Sequence, residues 1–338
     1  IFCCLCFLTA CQPSSNMHMT TIQGETMGTT YTVKYLTDSN TSLAQPTQAE
    51  LDALLHEVNR QMSTYQTDSE ISRFNQMKAA QGAMPISNDF ATVVAEAIRL
   101  NQFTEGALDV TIGPLVNLWG FGPDKRTHKT PTSAELAQAI PNIGIDKIHL
   151  TLPQANQAAQ LSKATDHVYL DLSAIAKGFG VDKIATYLEQ RGIQNYLVEI
   201  GGELRAKGKN PQQQIWNVGI EQPQILQKQT SQIVVPLNNQ ALATSGDYRN
   251  FQIDSTGKRL SHIIHPQTQQ PISHQLASIS VIADNAMTAD GLSTGLFVLG
   301  EERALALAEQ HQLAIFLIIK TEQGFETKMS SAFQKLLH

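Results

Sequence analysis

The sequence has 338 residues and a formal net charge of −6 at pH 7, which is enough chain to bury a substantial core as one large or two smaller domains. This acidic balance, without a basic cluster, argues against nucleic acid or anionic lipid as a partner. All four cysteines fall within the first 11 residues. The rest of the chain can therefore form no disulfide, thiolate nucleophile or zinc–thiolate site.

The first ten residues are apolar and end in Leu8-Thr-Ala before Cys11. Ten residues are too few to span a bilayer, which needs about 20, but they match the apolar region of a secretory signal whose basic start is missing. Small residues before a cysteine resemble a bacterial lipobox, in which Cys11 is lipidated; an ordinary signal peptide is the alternative. We expect a partial signal peptide over 1–10, a polar tether over 11–20 and a folded domain over 21–338. The lipid would anchor the protein on the periplasmic side of a bacterial membrane.

The first half of the sequence is predicted to be rich in helices. A segment rich in Thr, Val and Tyr predicts a first strand over 24–36, and 107–112 predicts a second, shorter one. Gly24 and Gly28 on either side of Met27 predict a kink with close backbone approach. Apolar residues three and four apart, with polar capping residues in front of them, predict helices at 47–65, 69–77, 90–103 and after the capping box Thr132–Glu135.

The second half is predicted to be rich in strands. A strand over 194–200 turns through Gly201-Gly202 into a strand over 203–207, as in a hairpin. Further strands are predicted at 241–245, 251–253 and 260–265, helices at 286–299 and 302–311, and two strands after them. This separation predicts an α+β fold of mixed sheets with packed helices, and not a regular βαβ arrangement.

Between the two halves, residues 168–188 read as a short apolar strand followed by a helix, with Ser173 as the predicted N-cap. A turn from a strand into a helix presents free backbone N–H groups and the positive end of the helix dipole to an anion. Lys177 lies in the first turn, where the dipole disfavours a cation unless something negative is bound there. An ordinary solvated lysine, beside glycines that allow close packing, is the alternative.

The segment Asp290–Thr294 is the second informative site. Asp290 and Thr294 are four residues apart and therefore share one face of a helix, where a carboxylate and a hydroxyl offer hard oxygen ligands suited to Mg²⁺. Gly291 and Gly295 in the middle of this helix predict that another part of the protein approaches closely. The alternative is a Thr bonded to its own helix and an Asp favoured by the dipole near the N-terminus.

Other polar segments are less specific. His262 and His265 lie three apart at a strand end, a spacing that suits a shared metal poorly, although one of them could act as a general base. Gly201-Gly202-Glu203 is best explained as a hairpin turn. The sequence contains no Walker A motif, no dinucleotide-binding glycine motif after the first strand and no Gly-x-Ser-x-Gly.

Six motifs in the same order resemble those of the ApbE family, the FAD:protein FMN transferases, which are periplasmic flavinylating lipoproteins. The motifs are Gly24-Glu-Thr-Met-Gly-Thr-Thr-Tyr31, Asp171-Leu-Ser-Ala-Ile-Ala-Lys-Gly178, Ile200-Gly-Gly-Glu203, Thr244-Ser-Gly-Asp-Tyr248, Ser261-His-Ile-Ile-His-Pro266 and Ala289-Asp-Gly-Leu-Ser-Thr294. One position departs from the family pattern, because His265 replaces the usual Asp of His-Ile-Ile-Asp-Pro.

The resemblance implies a T-fold-like α+β architecture and an enzyme that binds FAD with Mg²⁺ and transfers FMN to a Thr or Ser hydroxyl of a target protein, releasing AMP. It implies acceptors such as subunits of sodium-pumping NADH:quinone reductase and the Rnf complex. Matched motif by motif, the metal ligands are the carbonyl of Ala174 and the side chains of Asp290 and Thr294, with Ser293 beside them. The flavin-nucleotide contacts are Met27, Tyr65, Ala107, Leu108, Asp109, Asp171, Lys177 and Ile264.

For catalysis we predict that Lys177 holds a phosphate oxygen and that His262 is the base for the acceptor hydroxyl, with Asp171 as the second choice. Two other functions use the same residues. A periplasmic FAD-binding or carrier lipoprotein would return FAD intact. An FAD pyrophosphatase would release free FMN and AMP.

Overall fold

The computed structural model describes residues 17–38, 45–122, 130–221, 233–247, 251–253 and 259–337. The strands are β1 Met17–Thr26, β2 Thr29–Asp38, β3 Met84–Pro85, β4 Ile148–Thr151, β5 Gln160–Lys163, β6 Tyr196–Ile200, β7 Glu203–Lys207, β8 Trp216–Ile220, β9 Ile233–Leu237, β10 Gln240–Gly246, β11 Phe251–Ile253, β12 Arg259–Ser261, β13 Leu276–Ala283, β14 Ala314–Thr321 and β15 Gly324–Met329. The α-helices are α1 Gln48–Met62, α2 Glu70–Gln76, α3 Asn88–Phe103, α4 Gly113–Leu118, α5 Ser133–Ala139, α6 Ala176–Gln190, α7 Ala286–Leu299, α8 Glu301–His311 and α9 Ser331–Leu336.

An eight-stranded sheet in the order β1-β2-β6-β7-β10-β13-β14-β15 forms the centre of the molecule, and every neighbouring pair in it is antiparallel. Smaller antiparallel sheets are formed by β3-β5-β4, by β8-β9 and by β11-β12. The predicted α+β class is confirmed. The strands of the second half pair with the hairpin at the start of the chain, so the sheet joins both halves.

Alternating side chains give the sheet two covered faces. In β6, Tyr196, Val198 and Ile200 are buried and pack with residues of α1 and α6 on one face. On the opposite face, the hairpin β8-β9 and the helix α9 cover the sheet, with Phe333 stacked on Phe316. Helices α1, α6 and α7 therefore lie together on one side of the sheet, and the ends of α6 and α7 meet there.

The predicted helices are confirmed where a polar cap precedes an apolar periodicity. The side chains of Thr47, Ser69, Ser87 and Thr132 accept hydrogen bonds from the backbone N–H groups of the helices that they precede. Two short helices were not predicted. Helix α4, Gly113–Leu118, directly follows the segment 107–112, and α9 follows the final strands.

The prediction of a single first strand over 24–36 is wrong. This segment contains the end of β1, a turn and most of β2, which form a hairpin. The two-residue turn is Met27-Gly28, with φ of 50° and 74°, and positive φ at both positions is the geometry that fits the twist of two-residue hairpins. Met27 therefore lies in a turn and not at a kink. Strand β1 begins at Met17, inside the segment 11–20 that we expected to be a tether.

The strands predicted at 107–112 and 168–172 are also wrong. These two segments touch through a single parallel bridge, Ile112 to Tyr169, and polar turns interrupt both of them. The strand predicted at 260–265 ends at Ser261. Among the described residues, none of the helices has the length and apolarity needed to cross a bilayer. The predicted signal peptide, Cys11 and most of the tether lie outside the described residues.

Candidate active site

The candidate site lies at one end of the main sheet. The β1–β2 turn and the β6–β7 turn lie side by side there, since Gly201 N donates to Thr30 O at 3.1 Å. The first turn of α6 reaches this end of the sheet, and Met27 packs against Gly180 of α6. The site therefore combines residues that are far apart in sequence.

Helices α6 and α7 cross at Gly178. A Cβ atom at this position would lie 2.2 Å from Ala286 O and 2.8 Å from Asp290 Cβ, so only glycine allows the two helices to come this close. The Gly178 N–H donates to Asp290 Oδ2 at 2.9 Å. In an uninterrupted helix this N–H would bond to the carbonyl of Ala174; within the described part of the chain we find no backbone N–H bonded to that carbonyl.

Lys177 lies between two buried carboxylates. Its Nζ is 3.5 Å from Glu203 Oε1 and 3.7 Å from Asp290 Oδ1, while 28% of its side chain remains exposed. Burial alone would lower the pKa of Lys177, but the negative charges of Asp290 and Glu203 outweigh it and raise that pKa to about 12. Lys177 is therefore a permanent cation with an open side. The α6 turn and the Asp290 helix, which the family resemblance implies to be parts of one metal site, therefore lie side by side.

The pKa values of the two carboxylates, Glu203 and Asp290, are shifted upward by burial. Burial raises the pKa of Glu203 to about 8, although the charge of Lys177 opposes the shift. Burial also raises the pKa of Asp290, opposed by Lys177 and by the Gly178 N–H. Both groups are the kind of perturbed acid that clusters at functional sites. Sequence reasoning missed Glu203 as a site residue, because we assigned Gly201-Gly202-Glu203 to a turn; the charged residue after two glycines was the signal.

Three hydroxyl groups meet between α7 and β10. Ser245, near the end of β10, places its Oγ 2.8 Å from Ser293 Oγ and 3.1 Å from Thr294 Oγ1. Ser293 Oγ also donates to the backbone carbonyl of Asp290 at 2.9 Å. Ser245 was part of a recognised motif but was not predicted as a site residue. Its contacts hold the polar face of α7 against β10.

The glycines of α7 allow the close packing that the sequence predicted. A Cβ atom at Gly291 would lie 2.5 Å from Leu100 Cδ1, and one at Gly295 would lie 2.7 Å from Thr104 Cγ2. Helix α3 and the residue that ends it therefore press against one side of α7. This contact orients the opposite, polar side of α7, with Asp290, towards α6.

The oxygen atoms around Asp290 fit a magnesium ion. Among the described residues no group of three or more His, Cys, Asp and Glu side chains is arranged to hold a metal, but Mg²⁺ commonly uses only one or two carboxylates together with water and substrate phosphates. The residues available are the Asp290 carboxylate, the hydroxyls of Ser293 and Thr294, and the carbonyl of Ala174, whose usual helical donor is bonded to Asp290 instead. All are hard oxygen donors.

Two similar turns lie next to the start of α6. Asp171 Oδ1 accepts from Ser173 N at 2.9 Å and from Ser173 Oγ at 2.6 Å. The prediction that Ser173 is the N-cap of α6 is therefore wrong. Ile175 is the N-cap, and its side chain makes no capping hydrogen bond. Asp109 Oδ1 accepts in the same way from the N–H and hydroxyl of Thr111, at 2.8 and 2.6 Å.

These two turns are joined, because Asp171 N donates to Val110 O at 2.8 Å. The structure therefore brings together two sets of residues that the sequence predicted as nucleotide contacts, the segment 107–109 and Asp171. Burial raises the pKa of Asp109, although its bonds to Thr111 oppose the shift. Ala107 and Leu108 are themselves buried, and Leu108 belongs to the core below the site.

Comparison with known proteins decides the family. A family model described as the ApbE family matches residues 27–317. The chain belongs to the ApbE family. The FAD:protein FMN transferase of Haemophilus influenzae is 55% identical over 330 residues, which cover 97% of this chain and 94% of the relative. That of Vibrio cholerae is 48% identical over 98% of this chain and 96% of its own.

Solved structures of the family agree with the fold. The flavin transferase ApbE from Vibrio cholerae matches with a TM-score of 0.85 and 47% identity, over 95% of this chain and 99% of that chain. The flavinyl transferase ApbE of Pseudomonas stutzeri in its apo form matches with a TM-score of 0.84 and 38% identity, over 95% and 97% of the two chains.

The remaining flavin contacts expected of an ApbE protein lie in different surroundings. Tyr65 follows α1 and is 70% exposed, and it is at the same end of the sheet as Met27, since Asn59 of α1 donates to Thr26 at 3.0 Å. Ile264 is buried with Leu115 and Trp119, so its side chain is part of a small core. These roles stay predictions.

His262, the predicted base, contacts the ring of Phe121 edge to face at 6.5 Å between centroids. It precedes a turn that also explains the departure at His265. There, His265 Nδ1 accepts from Gln267 N at 3.2 Å and from Thr268 N at 3.5 Å. A carboxylate, such as the Asp that the family resemblance leads us to expect here, could accept the same bonds.

Proposed function

We propose that this protein is a Mg²⁺-dependent FAD:protein FMN transferase that attaches FMN to a Thr or Ser hydroxyl of an acceptor protein and releases AMP. The observation that carries the proposal is the position of Asp290. Its carboxylate bonds to the first turn of α6 at Gly178, lies 3.7 Å from Lys177 and shares a helix with Thr294. One residue thereby connects the cation, the helix N-terminus and the oxygen ligands that a pyrophosphate requires.

The proposed reaction breaks the phosphoanhydride bond of FAD and forms a phosphoester bond to the acceptor. The acceptor oxygen attacks the phosphorus on the FMN side of FAD, and the bond from that phosphorus to the bridging oxygen breaks. AMP leaves with the bridging oxygen, and the acceptor proton passes to a base. No oxidant or reductant is needed. Transfer of this kind depends mostly on positioning and on charge neutralisation.

Lys177 would bind a non-bridging phosphate oxygen on the open side of its ammonium group, next to the N-terminus of α6. Two unit charges 4 Å apart interact by about 4 kcal/mol at an effective dielectric constant near 20, equivalent to about a thousandfold in rate if the interaction forms only in the transition state. Mg²⁺, held by Asp290, Ser293, Thr294 and the Ala174 carbonyl, would neutralise the remaining phosphate charge.

His262 is the base that we propose for the acceptor hydroxyl, because a neutral imidazole near neutral pH can take a proton and release it again. Asp171 is the weaker choice, since one of its oxygens already accepts two bonds from Ser173. That bonding suits Asp171 better for holding its loop beside the nucleotide.

The proposed setting is the periplasmic side of a bacterial membrane, with a lipid on Cys11 as the anchor and subunits of sodium-pumping NADH:quinone reductase or the Rnf complex as acceptors. A Cys11→Ser variant of the full chain would be released as soluble periplasmic material. If that variant still sediments with membranes, the anchor is elsewhere.

The decisive experiment mixes the protein with FAD, Mg²⁺ and a purified candidate acceptor and measures the acceptor's mass. We expect the mass to increase by one FMN residue, that is FMN less one water, and AMP to appear in equal amount, and we expect no mass increase with Asp290→Ala. FAD recovered intact would favour a carrier. Free FMN with AMP, and no flavin on the acceptor, would favour a pyrophosphatase.

A further inference from the structure

Glu203 is a buried acidic residue without an assigned role. It is the first residue of β7, directly after the Gly201-Gly202 turn, and 4% of it is exposed. Its Oε1 lies 3.5 Å from Lys177 Nζ, and its Oε2 is buried without a hydrogen-bond partner among the described residues. Oε1 therefore faces Lys177, while no described residue replaces the hydrogen bonds to water that Oε2 loses on burial.

Such a residue is a poor choice for stability alone. A buried carboxylate loses its hydration, and a well-packed apolar side chain in its place is often neutral or stabilising. An unsatisfied buried oxygen adds a further cost. The opposing residue in the hairpin, Ile200, is buried and apolar, so it offers Glu203 no polar partner. The contact that distinguishes Glu203 is the one with Lys177.

Lys177 has two acidic neighbours, but one of them is committed in the proposed reaction. Asp290 is the single carboxylate among the predicted metal ligands. When Asp290 binds a divalent cation, that cation neutralises the Asp290 carboxylate and repels the ammonium of Lys177. With Asp290 alone, Lys177 would be pushed out of the cleft at the moment when it is needed at the phosphate. Two positive charges nearby also favour the ionised form of Glu203.

We infer that Glu203 is the positioning residue for Lys177: it holds the ammonium beside the phosphate site while Asp290 binds the metal. The inference rests on the proposed function, since it assigns Asp290 to the metal. Glu203 acts through Lys177 and does not itself need to touch FAD. Its consequence is specific, because the loss of Glu203 matters only when the metal is present.

The test compares Glu203→Gln with wild-type protein by fluorescence titration of FAD, once in EDTA and once in Mg²⁺. In EDTA, Asp290 still holds Lys177, so we expect the two Kd values to agree within about threefold. In Mg²⁺, we expect the variant to bind FAD about tenfold more weakly and to transfer FMN with a kcat lowered about tenfold or more, the usual cost of losing an interaction with a charged group.

The matched control is Glu199→Gln in the same hairpin. Glu199 accepts from Gly202 N at 2.7 Å, a bond that glutamine can still accept, so all values should stay within about twofold of wild type. Thermal unfolding of each variant verifies folding. A second variant, Glu203→Asp, keeps the charge and should recover part of the Mg²⁺-dependent affinity even if the glutamine variant is unstable.

A double-mutant cycle with Lys177→Met separates action through Lys177 from any other role. Glu203→Gln should cause no further loss in the Lys177→Met background. The inference is overturned by an equal defect in EDTA and Mg²⁺, by wild-type behaviour of Glu203→Gln, by an Asp variant as defective as the Gln variant, or by an undiminished loss in the Lys177→Met background. If wild-type protein transfers no FMN, the proposed function fails, and the binding titrations still decide the role of Glu203.

Discussion

Lys163 and Lys177 are both withdrawn from solvent, but the groups around their ammonium ions differ. Lys163 is 5% exposed and donates to the carbonyls of Asn75, Asp166 and Val168 at 2.8, 3.2 and 3.2 Å. Its ammonium also lies 5.4 Å from the centre of the Phe74 ring. Lys177 has two carboxylates at 3.5 and 3.7 Å and keeps 28% of its side chain exposed.

The partners of a buried lysine show whether it stabilises the fold or can bind a ligand. Lys163 uses all three of its donors on carbonyl dipoles, so it has none left for a ligand. Burial lowers the pKa of Lys163, because dipoles compensate lost hydration less fully than charges do. The carboxylates near Lys177 raise its pKa, yet they lie beyond the roughly 2.7–3.2 Å of a good N–H···O bond. Lys177 is therefore charged and still able to donate to an anion.

The largest effect that tests this comparison is on catalysis. Lys177→Ala should lower the kcat of FMN transfer about a thousandfold, because it removes one charge from the phosphate site. The measurement is single-turnover transfer to an acceptor followed by flavin fluorescence on a denaturing gel. Lys183, on the same helix, pairs with Asp89 at 2.8 Å and gives the control, since Lys183→Ala should stay within about twofold. Wild-type transfer by Lys177→Ala would show that its charge is not used.

The crossing of α6 and α7 should be nearly as sensitive as the lysine itself. The methyl group of Gly178→Ala would meet Ala286 O at 2.2 Å and force the helices apart. We expect about a hundredfold loss of kcat from misplacing Asp290, and a loss of about 3 kcal/mol in the free energy of unfolding. Urea unfolding and transfer assays measure the two effects.

Gly180→Ala, two residues further along α6, is the matched control for the crossing. Its new methyl group would lie 3.1 Å from the end of the Met27 side chain and 3.2 Å from Ile200 Cδ1, contacts that need a shift of only a few tenths of an ångström, so we expect a stability loss of about 1 kcal/mol, well below that of Gly178→Ala. Equal losses in the Gly178 and Gly180 variants would mean that the helix, and not the crossing, is sensitive to alanine.

Substitution of Lys163 should affect stability and not kcat, the reverse of what we expect for Lys177. Lys163→Met leaves three carbonyls without their donor, and we expect the free energy of unfolding to fall by about 3 kcal/mol. The kcat of the folded protein should stay within about twofold, because no donor of Lys163 faces a ligand. Urea unfolding followed by tryptophan fluorescence, with kcat measured well below the transition, separates the effects. A large loss of kcat at unchanged stability would place Lys163 in the site after all.

Local features of the site could be predicted from the sequence. The spacing of Asp290 and Thr294 defines a helix face wherever that helix lies, and Gly291 and Gly295 indicated the contact that α3 makes. The caps at Thr47 and Ser87 depend only on residues three positions away. Such signals survive in any tertiary surrounding, and they are the ones that were confirmed.

Features that depend on one particular side-chain contact, near or distant in sequence, could not be predicted. Ser173 reads as an N-cap, but Asp171 two residues earlier is a stronger acceptor and takes its hydroxyl. Glu203 reads as a turn residue until α6 brings Lys177 beside it. The segment 107–112 has strand-like composition, but Asp109 binds its own neighbour Thr111 instead of extending a ladder. In each case a side chain, and not the periodicity, decides the structure.

The smallest effect concerns a neutral ring where the family has a charged group. His265 accepts from Gln267 N through Nδ1, and it can do so only while that nitrogen is unprotonated. Burial lowers the pKa of His265, and the nearby His274 acts in the same direction. Since the folded pKa lies below the unfolded one, near 6.5, the unfolded state binds more protons between the two values. The stabilisation is fully present above pH 6.5 or so and is lost as the pH falls through the folded pKa.

The variant His265→Asp should remove this dependence, because an aspartate stays ionised and keeps accepting the bond down to about pH 4. Between about pH 7.5 and pH 5, the free energy of unfolding of wild-type protein should fall by up to about 1 kcal/mol more than that of the variant. The effect is small because the His265 ring is partly exposed. Urea unfolding at both pH values measures the difference, and His149→Asn, at an exposed position of β4, should follow wild type. If the Asp variant loses as much stability as wild type between the two pH values, the turn does not depend on an unprotonated acceptor at position 265.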